Sequence, residues 1–130
     1  MNKQFSHFIR VPYAHVDKMG IVYYANYFIY FEMARSELLR ECKIPYTEME
    51  NKGVMLPVIK AYCEYKKSAY YDDYIKVESI CSFHGVKLRI DYKIKRDTTV
   101  LVEGYTEHVC MSKENKILKP DSTMINLLTK

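Results

Sequence analysis

The sequence of 130 residues predicts an α+β fold in which an antiparallel sheet curls around one long apolar helix. Two observations support this prediction. A single long stretch with helical periodicity covers residues 26–42. Strand-like segments fill most of the chain after that helix, and one more precedes it. No internal repeat or linker-like stretch interrupts the sequence, so we expect a single domain over residues 1–130.

The first third of the chain predicts one strand and one helix. Residues 5–13 (FSHFIRVPY) read as a strand, and a polar loop from His15 to Gly20 follows. In residues 26–42 (NYFIYFEMARSELLREC) apolar positions keep a helical period, while charge gathers late in the segment. Because its first half is apolar nearly all round, we expect other structure to wrap this helix. After Pro45 a short helical turn is predicted, ending near Gly53.

The remainder of the chain alternates between side chains of two kinds, as strands do. The predicted strands are residues 55–65, 75–83, 87–95 and 99–112, with a turn at residues 96–98. The clearest is 87–95, where charged residues alternate strictly with apolar ones. Such alternation is typical of an antiparallel sheet with one buried and one solvated face.

Composition excludes several classes of protein. The chain is 48% hydrophobic and 28% charged, as in ordinary globular proteins. No apolar stretch approaches the roughly 20 residues of a membrane-spanning helix, and the N-terminus lacks the apolar run of a signal peptide. We therefore expect a cytoplasmic protein without stable membrane insertion. The four widely spaced cysteines favour buried reduced thiols over a disulfide framework or a metal site.

Residues 13–35 contain the candidate catalytic groups. Asp17 lies in a loop a few residues before the start of the predicted helix, and Gly20 allows a tight turn there. The first amides of the helix, around residues 24–26, have no partners within the helix and lie at the positive end of its dipole. They can polarise a carbonyl group and hold an oxyanion, beside a carboxylate that acts as nucleophile or base. Spacing alone, however, favours a turn or capping role for Asp17.

The motif D-K-M-G-I-V-Y-Y-A-N-Y, followed by F-E-M-A-R-S-E-L-L-R, closely resembles the signature of the 4-hydroxybenzoyl-CoA thioesterase-like family, which includes the Tol-Pal-associated acyl-CoA thioesterases. A-Y-Y-D-D at 69–73 and T-E-H-V-C at 106–110 extend the resemblance over most of the chain. The resemblance implies the hotdog fold. It also implies hydrolysis of an acyl-CoA thioester to a free acid and CoA, with no cofactor and no metal.

The resemblance also implies roles for individual residues. Asp17 takes the position of the family's catalytic aspartate, which acts on the thioester carbonyl directly or through water. The backbone amide of Tyr24 takes the position of the donor that polarises this carbonyl. Many relatives have His at this position and others have Tyr, so the preferred acyl group stays open. In the family, CoA lies across a subunit interface and basic residues meet its phosphates. Lys87 and Arg89 stand in that region, although each is also typical of a solvated strand face.

Other readings of the sequence remain. A hotdog dehydratase or hydratase would use a loop histidine and a helical acid, roles open here to His15 and Glu32. A non-catalytic acyl-CoA-binding protein would need no Asp17. Net charge is +4, but Asp91 interrupts the basic residues and no nucleic-acid-binding module is recognised, so we expect no nucleic acid partner. A small sheet around one helix leaves an edge strand and an apolar flank exposed, which predicts a homodimer or a homotetramer.

Overall fold

One antiparallel sheet and one long helix dominate the structure, a computed structural model that describes residues 2–130. The strands are β1 (Gln4–Arg10), β2 (Val58–Tyr65), β3 (Tyr74–His84), β4 (Lys87–Arg96), β5 (Thr99–Met111) and β6 (Ile117–Leu118). The helices are α1 (Asn26–Glu41), α2 (Tyr46–Asn51) and α3 (Ser122–Thr129). The strand order is β1-β3-β4-β5-β2, and β6 pairs with β5. All of these pairings are antiparallel, which confirms the predicted α+β fold class.

The inner face of the sheet forms the core against α1. The apolar positions of β4 are buried, as the strict alternation of residues 87–95 predicts. In β3 the inner positions are buried in the same way, and the register sets Cys81 opposite Ile90. From the helix, six residues are buried against this face: Tyr27, Tyr30, Phe31, Ala34, Leu38 and Leu39. Burial of this one face is the main driving force for folding.

A glycine sets how closely the helix approaches the sheet. Phe31 of α1 stacks on Tyr92 of β4, with ring centroids 4.3 Å apart and planes 6° from parallel. Beside them lies Gly104 of β5, where a Cβ atom would come within 2.9 Å of the Phe31 ring and overlap the carbonyl oxygen of Tyr62. Only a residue without a side chain leaves room for this contact.

Several boundaries differ from those predicted. β1 ends at Arg10, and residues 13–15 form a 3-10 turn instead of continuing the strand. β2 begins at Val58, because Met55 instead makes an isolated bridge to Met111. Neither β6 nor α3 is predicted by the sequence; the N-terminus of α3 is capped by Asp121, whose Oδ1 accepts from the amide of Met124 at 2.7 Å.

The sheet packs along α1, as the predicted fold has it, and buries one side of the helix. On the uncovered side, Ile29 is 44% exposed and Met33 is 39% exposed, although both are apolar. An apolar flank of α1 is therefore left open.

Candidate active site

Asp17 begins a tight turn before α1. Its amide donates to the carbonyl of Ile21 at 2.9 Å, and the amide of Gly20 donates to the carbonyl of Asp17 at 2.9 Å. Gly20 adopts φ +79°, which favours glycine. The side-chain Oδ1 of Asp17 accepts from the amide of Met19 at 2.8 Å, and the residue is exposed. Within residues 2–130, Oδ2 has no hydrogen-bond partner. The turn therefore fixes the carboxylate through one oxygen and leaves the other available.

The loop that carries Asp17 is tied to the start of α1. The carbonyl of His15 accepts from the amide of Tyr23 at 2.9 Å and from the side-chain Nδ2 of Asn26 at 3.0 Å. The Nδ1 atom of His15 lies 2.9 Å from the hydroxyl of Tyr30, which is buried in the core. These bonds hold the two segments as one unit, so that the position of Asp17 follows that of the helix N-terminus.

The start of α1 presents two amides without partners. Ala25 is the N-cap residue, and no side chain caps the helix. The amides of residues 26–28 each donate to a carbonyl three residues earlier. In the described part of the chain, the amides of Tyr24 and Ala25 have no acceptor. Unpaired amides at the positive end of a 16-residue helix favour a negatively charged oxygen. The Tyr24 donor that the sequence predicts is thus accompanied by a second, Ala25.

Tyrosines surround these amides. The ring of Tyr24 lies 4.8 Å from that of Tyr23 and 6.3 Å from that of Tyr65, which belongs to β2. The hydroxyl of Tyr65 donates to the carbonyl of Tyr24 at 3.3 Å. Burial, followed by a contact with Cys63, raises the pKa of Tyr65 to about 12, so its hydroxyl keeps its proton at neutral pH. The sequence did not single out Tyr65 as a functional residue.

Lys87 and Arg89 lie far from Asp17 in the same chain. They are the first and third residues of β4, on the outer face of the sheet. At the other end of β4, Arg96 donates to Asp73 at 2.7 Å, in a loop that pairs with the Asp17 loop through an isolated bridge. Seven or more strand residues separate the two ends, a distance of about 25–30 Å. One chain therefore does not bring these basic residues to its own Asp17.

The two basic residues also differ in their surroundings. The guanidinium of Arg89 lies 3.1 Å from Asp91 and 3.8 Å from the ring centroid of Tyr105. The hydrogen bond to Asp91 raises the pKa of Arg89. Lys87 is exposed and forms no ion pair with any residue from 2 to 130. Of the two, Lys87 is the one whose charge is available to a ligand.

A profile of the Thioesterase-like superfamily matches residues 11–125 of the sequence. The chain belongs to this family. It is 34% identical over 120 residues to a protein of Aquifex aeolicus (strain VF5) named as a candidate esterase, covering 92% of this chain and 93% of the relative. It is 36% identical over 109 residues to YneP of Bacillus subtilis (strain 168), named as a candidate acyl-CoA thioesterase, covering 82% and 79%.

A solved structure has the same fold. A crystal structure of a hypothetical protein from Aquifex aeolicus has a TM-score of 0.90 and 31% identity, covering 95% of this chain and 98% of that one. The fold predicted from the resemblance, a hotdog with its sheet around α1, is thereby confirmed. Membership of a thioesterase superfamily also confirms the predicted enzyme class, a thioester hydrolase.

The pair of residues that a dehydratase of this fold would need is not assembled. His15 contacts Tyr30 on the buried side of α1. Glu32 is exposed and lies two residues after Tyr30, which places the two side chains about 200° apart around the helix axis. The helix therefore separates Glu32 from His15. The structure favours the thioesterase over the dehydratase or hydratase.

A chain of hydrogen-bonded polar groups runs from α1 into the core. Arg35 donates to the hydroxyl of Tyr92 at 3.3 Å, which lies 2.8 Å from Thr106; Thr106 in turn lies 2.8 Å from Nε2 of His108. The Nδ1 atom of His108 is 3.1 Å from the carbonyl of Leu56. Burial lowers the pKa of His108 to about 4, so the ring is neutral, with one nitrogen as hydrogen-bond donor and the other as acceptor. These residues satisfy one another in the core, and no sequence pattern predicts their connection.

Neither a metal site nor a membrane-spanning helix is found in residues 2–130. No group of three or more His, Cys, Asp or Glu side chains is arranged to hold a metal ion. None of the helices has both the length and the apolar character that crossing a membrane requires.

Proposed function

We propose that this protein hydrolyses acyl-CoA thioesters to the free acid and CoA. One observation carries the proposal: two unpaired amides, of Tyr24 and Ala25, open α1 and are tied through His15 to the turn that holds Asp17. Amides that can stabilise an oxyanion, beside a carboxylate that can act as nucleophile or base, are suited to acyl transfer. The name of the Bacillus subtilis relative, a candidate acyl-CoA thioesterase, supports CoA as the thiol of the substrate.

The proposed reaction proceeds on this chain's own groups. The thioester oxygen accepts from the amide of Tyr24, and the helix dipole stabilises the negative charge that develops on it. Asp17 either attacks the carbonyl carbon or removes a proton from the water that attacks it. If Asp17 attacks, loss of the CoA thiolate leaves an acyl anhydride on Asp17, which a water molecule hydrolyses to the free acid while the thiolate takes a proton from solvent. If water attacks, it supplies the oxygen of the acid, and the proton that Asp17 removes passes to the sulfur of CoA as the carbon–sulfur bond breaks. The two roles of Asp17 share the same oxyanion site.

We propose further that the protein works as an oligomer of at least two copies, paired through β2. This strand forms one edge of the sheet and is exposed along nearly its whole length. Its apolar side chains Val58, Ile59, Tyr62 and Tyr65 are each 46–48% exposed. An unpaired apolar edge is suited to antiparallel pairing with the same strand of a second copy. The second copy would then also cover the open flank of α1. Sedimentation should give at least twice the 15.5 kDa of one chain, whereas a 15.5 kDa particle would contradict this pairing.

This pairing supports a role for Lys87 and Arg89 in binding CoA phosphates. Antiparallel pairing about a two-fold axis sets the Val58 end of β2 beside the Tyr65 end of the same strand in the second copy. The Val58 end lies next to β5 at His108, and Lys87 follows on β4, about 10 Å from β2 across the sheet. The basic residues of one copy would then approach the amides of the other, within the reach of an extended CoA molecule.

The experiment that tests this function measures thiol release from a panel of acyl-CoAs with short aliphatic, long aliphatic and aromatic acyl groups. We expect catalytic turnover of at least one thioester, with one thiol released for each acid formed. Tight binding of acyl-CoA without thiol release would instead favour the non-catalytic binding protein. The panel also identifies the preferred acyl group, which would bind beside Tyr24 and its neighbouring tyrosines.

A further inference from the structure

We propose that Tyr65 is a positioning residue for the oxyanion site, because its hydroxyl holds the peptide group whose N–H belongs to Ala25. This inference rests on the proposed thioesterase function and adds to it a residue from a distant strand. Tyr65 lies 41 residues from Tyr24 in sequence, at the last position of β2.

The geometry follows from the planarity of the peptide bond. The carbonyl of Tyr24 and the amide of Ala25 belong to one rigid plane, with C=O and N–H pointing in opposite directions. The Tyr65 hydroxyl donates to that carbonyl at 3.3 Å. The carbonyl also accepts from the amide of Tyr27, at 3.3 Å. A second donor, from outside the helix, therefore fixes the rotation of this plane and so the direction of the Ala25 N–H.

The fold otherwise provides little to hold this peptide group. Ala25 is exposed, its amide has no acceptor within residues 2–130, and no side chain caps the helix. The Tyr65 ring is itself held by contacts with Tyr24 and Tyr27, at centroid distances of 6.3 and 5.5 Å. A hydrogen bond to the carbonyl also polarises the peptide and makes its N–H a stronger donor. Both effects act on the charge that develops in the transition state, more than on the bound substrate.

The test compares Tyr65→Phe with a control, Tyr46→Phe. Tyr46 lies on α2, outside both β2 and the start of α1, and its hydroxyl also bonds a backbone group, accepting from the amide of Leu56 at 3.2 Å. Phenylalanine keeps the ring in each case. We expect Tyr65→Phe to lower kcat about five- to twentyfold with KM within about twofold, less than the loss of a whole oxyanion donor. Tyr46→Phe should change neither constant by more than about twofold.

A second measurement separates this inference from the proposed function. The amide resonance of Ala25 in a proton–nitrogen spectrum should shift in Tyr65→Phe and stay in place in Tyr46→Phe, whether or not a substrate is known. If the wild type hydrolyses no thioester, the proposed function fails and this resonance alone decides the positioning role. Equal kcat values for the two variants of an active enzyme, or an unchanged Ala25 resonance, would overturn the inference.

Discussion

The amide of Tyr24 can be removed without removing any hydrogen bond of the fold, which makes Tyr24→Pro an informative variant. The amide of Asn26 donates to the carbonyl of Tyr23 at 2.9 Å and closes a turn with Tyr24 at its second position, where proline is well accommodated. The Tyr24 N–H that proline lacks has no acceptor in the described part of the chain. Its carbonyl, which accepts from Tyr65, remains.

The expected magnitude follows from the number of donors. Tyr24 and Ala25 supply the two unpaired amides, so proline removes one of two. Loss of one oxyanion donor costs about 100- to 1000-fold in kcat, or about 3–4 kcal/mol of transition-state stabilisation. The matched control is Tyr24→Ala, which loses the same ring and hydroxyl but keeps the N–H. We expect Tyr24→Pro to be at least about 100-fold slower than Tyr24→Ala.

The assay is thiol release under saturating acyl-CoA, with thermal unfolding of both variants as the control for folding. Similar unfolding midpoints would show that proline is tolerated in the turn. If both variants are folded and their kcat values agree within about fivefold, the Tyr24 amide does not hold the oxyanion, and this part of the mechanism is refuted.

Three further predictions concern stability and substrate binding. Gly104→Ala places a methyl group against the Phe31 ring and the Tyr62 carbonyl; we expect a loss of about 1–3 kcal/mol, or about 4–11 °C in Tm, and an unchanged Tm would contradict the packing described. His108 has a pKa of about 4 in the fold, so between about pH 4 and 6.5 the unfolded chain binds its proton and the native chain does not. The free energy of unfolding should therefore fall as pH falls through this window, by up to about 3 kcal/mol. When this free energy is measured by urea denaturation at several pH values, it should depend less steeply on pH in His108→Gln than in the wild type; equal pH dependences would refute the assignment. Lys87→Glu should raise KM for acyl-CoA about three- to tenfold while leaving KM for an acyl-N-acetylcysteamine thioester, which lacks phosphates, unchanged; equal effects on both substrates would exclude phosphate binding.

The main elements of the fold could be predicted because one face of each is buried. The helix predicted at residues 26–42 is α1, Asn26–Glu41, and the strand predicted at 87–95 is β4, Lys87–Arg96. Periodicity reports such faces directly. It gave no sign of α3, a short helix that follows Pro120, or of the two-residue β6. The position of β2 at the edge, exposed on both faces, depends on the order of strands, which periodicity does not encode.

The candidate site could also be predicted only in part from the sequence. Asp17 and the Tyr24 amide lie within eight residues of one another, so a local motif contains both. Tyr65 reaches them only because the end of β2 lies over the start of α1. The buried connection from Arg35 to His108 likewise joins residues 73 positions apart, through hydrogen bonds that only the folded sheet aligns. The roles of Lys87 and Arg89 stay predictions, since they depend on a second copy.

The central claim, that Asp17 acts on an acyl-CoA thioester, is tested most directly by thiol release from the best acyl-CoA by Asp17→Asn. The matched control is Asp97→Asn, an exposed turn aspartate between β4 and β5, where asparagine also tolerates the positive φ of 54°. Asparagine at position 17 keeps an oxygen for the Met19 amide, so the turn should survive. We predict that kcat falls at least about 100-fold in Asp17→Asn and stays within about twofold in Asp97→Asn. Equal rates for Asp17→Asn and the wild type would contradict the account.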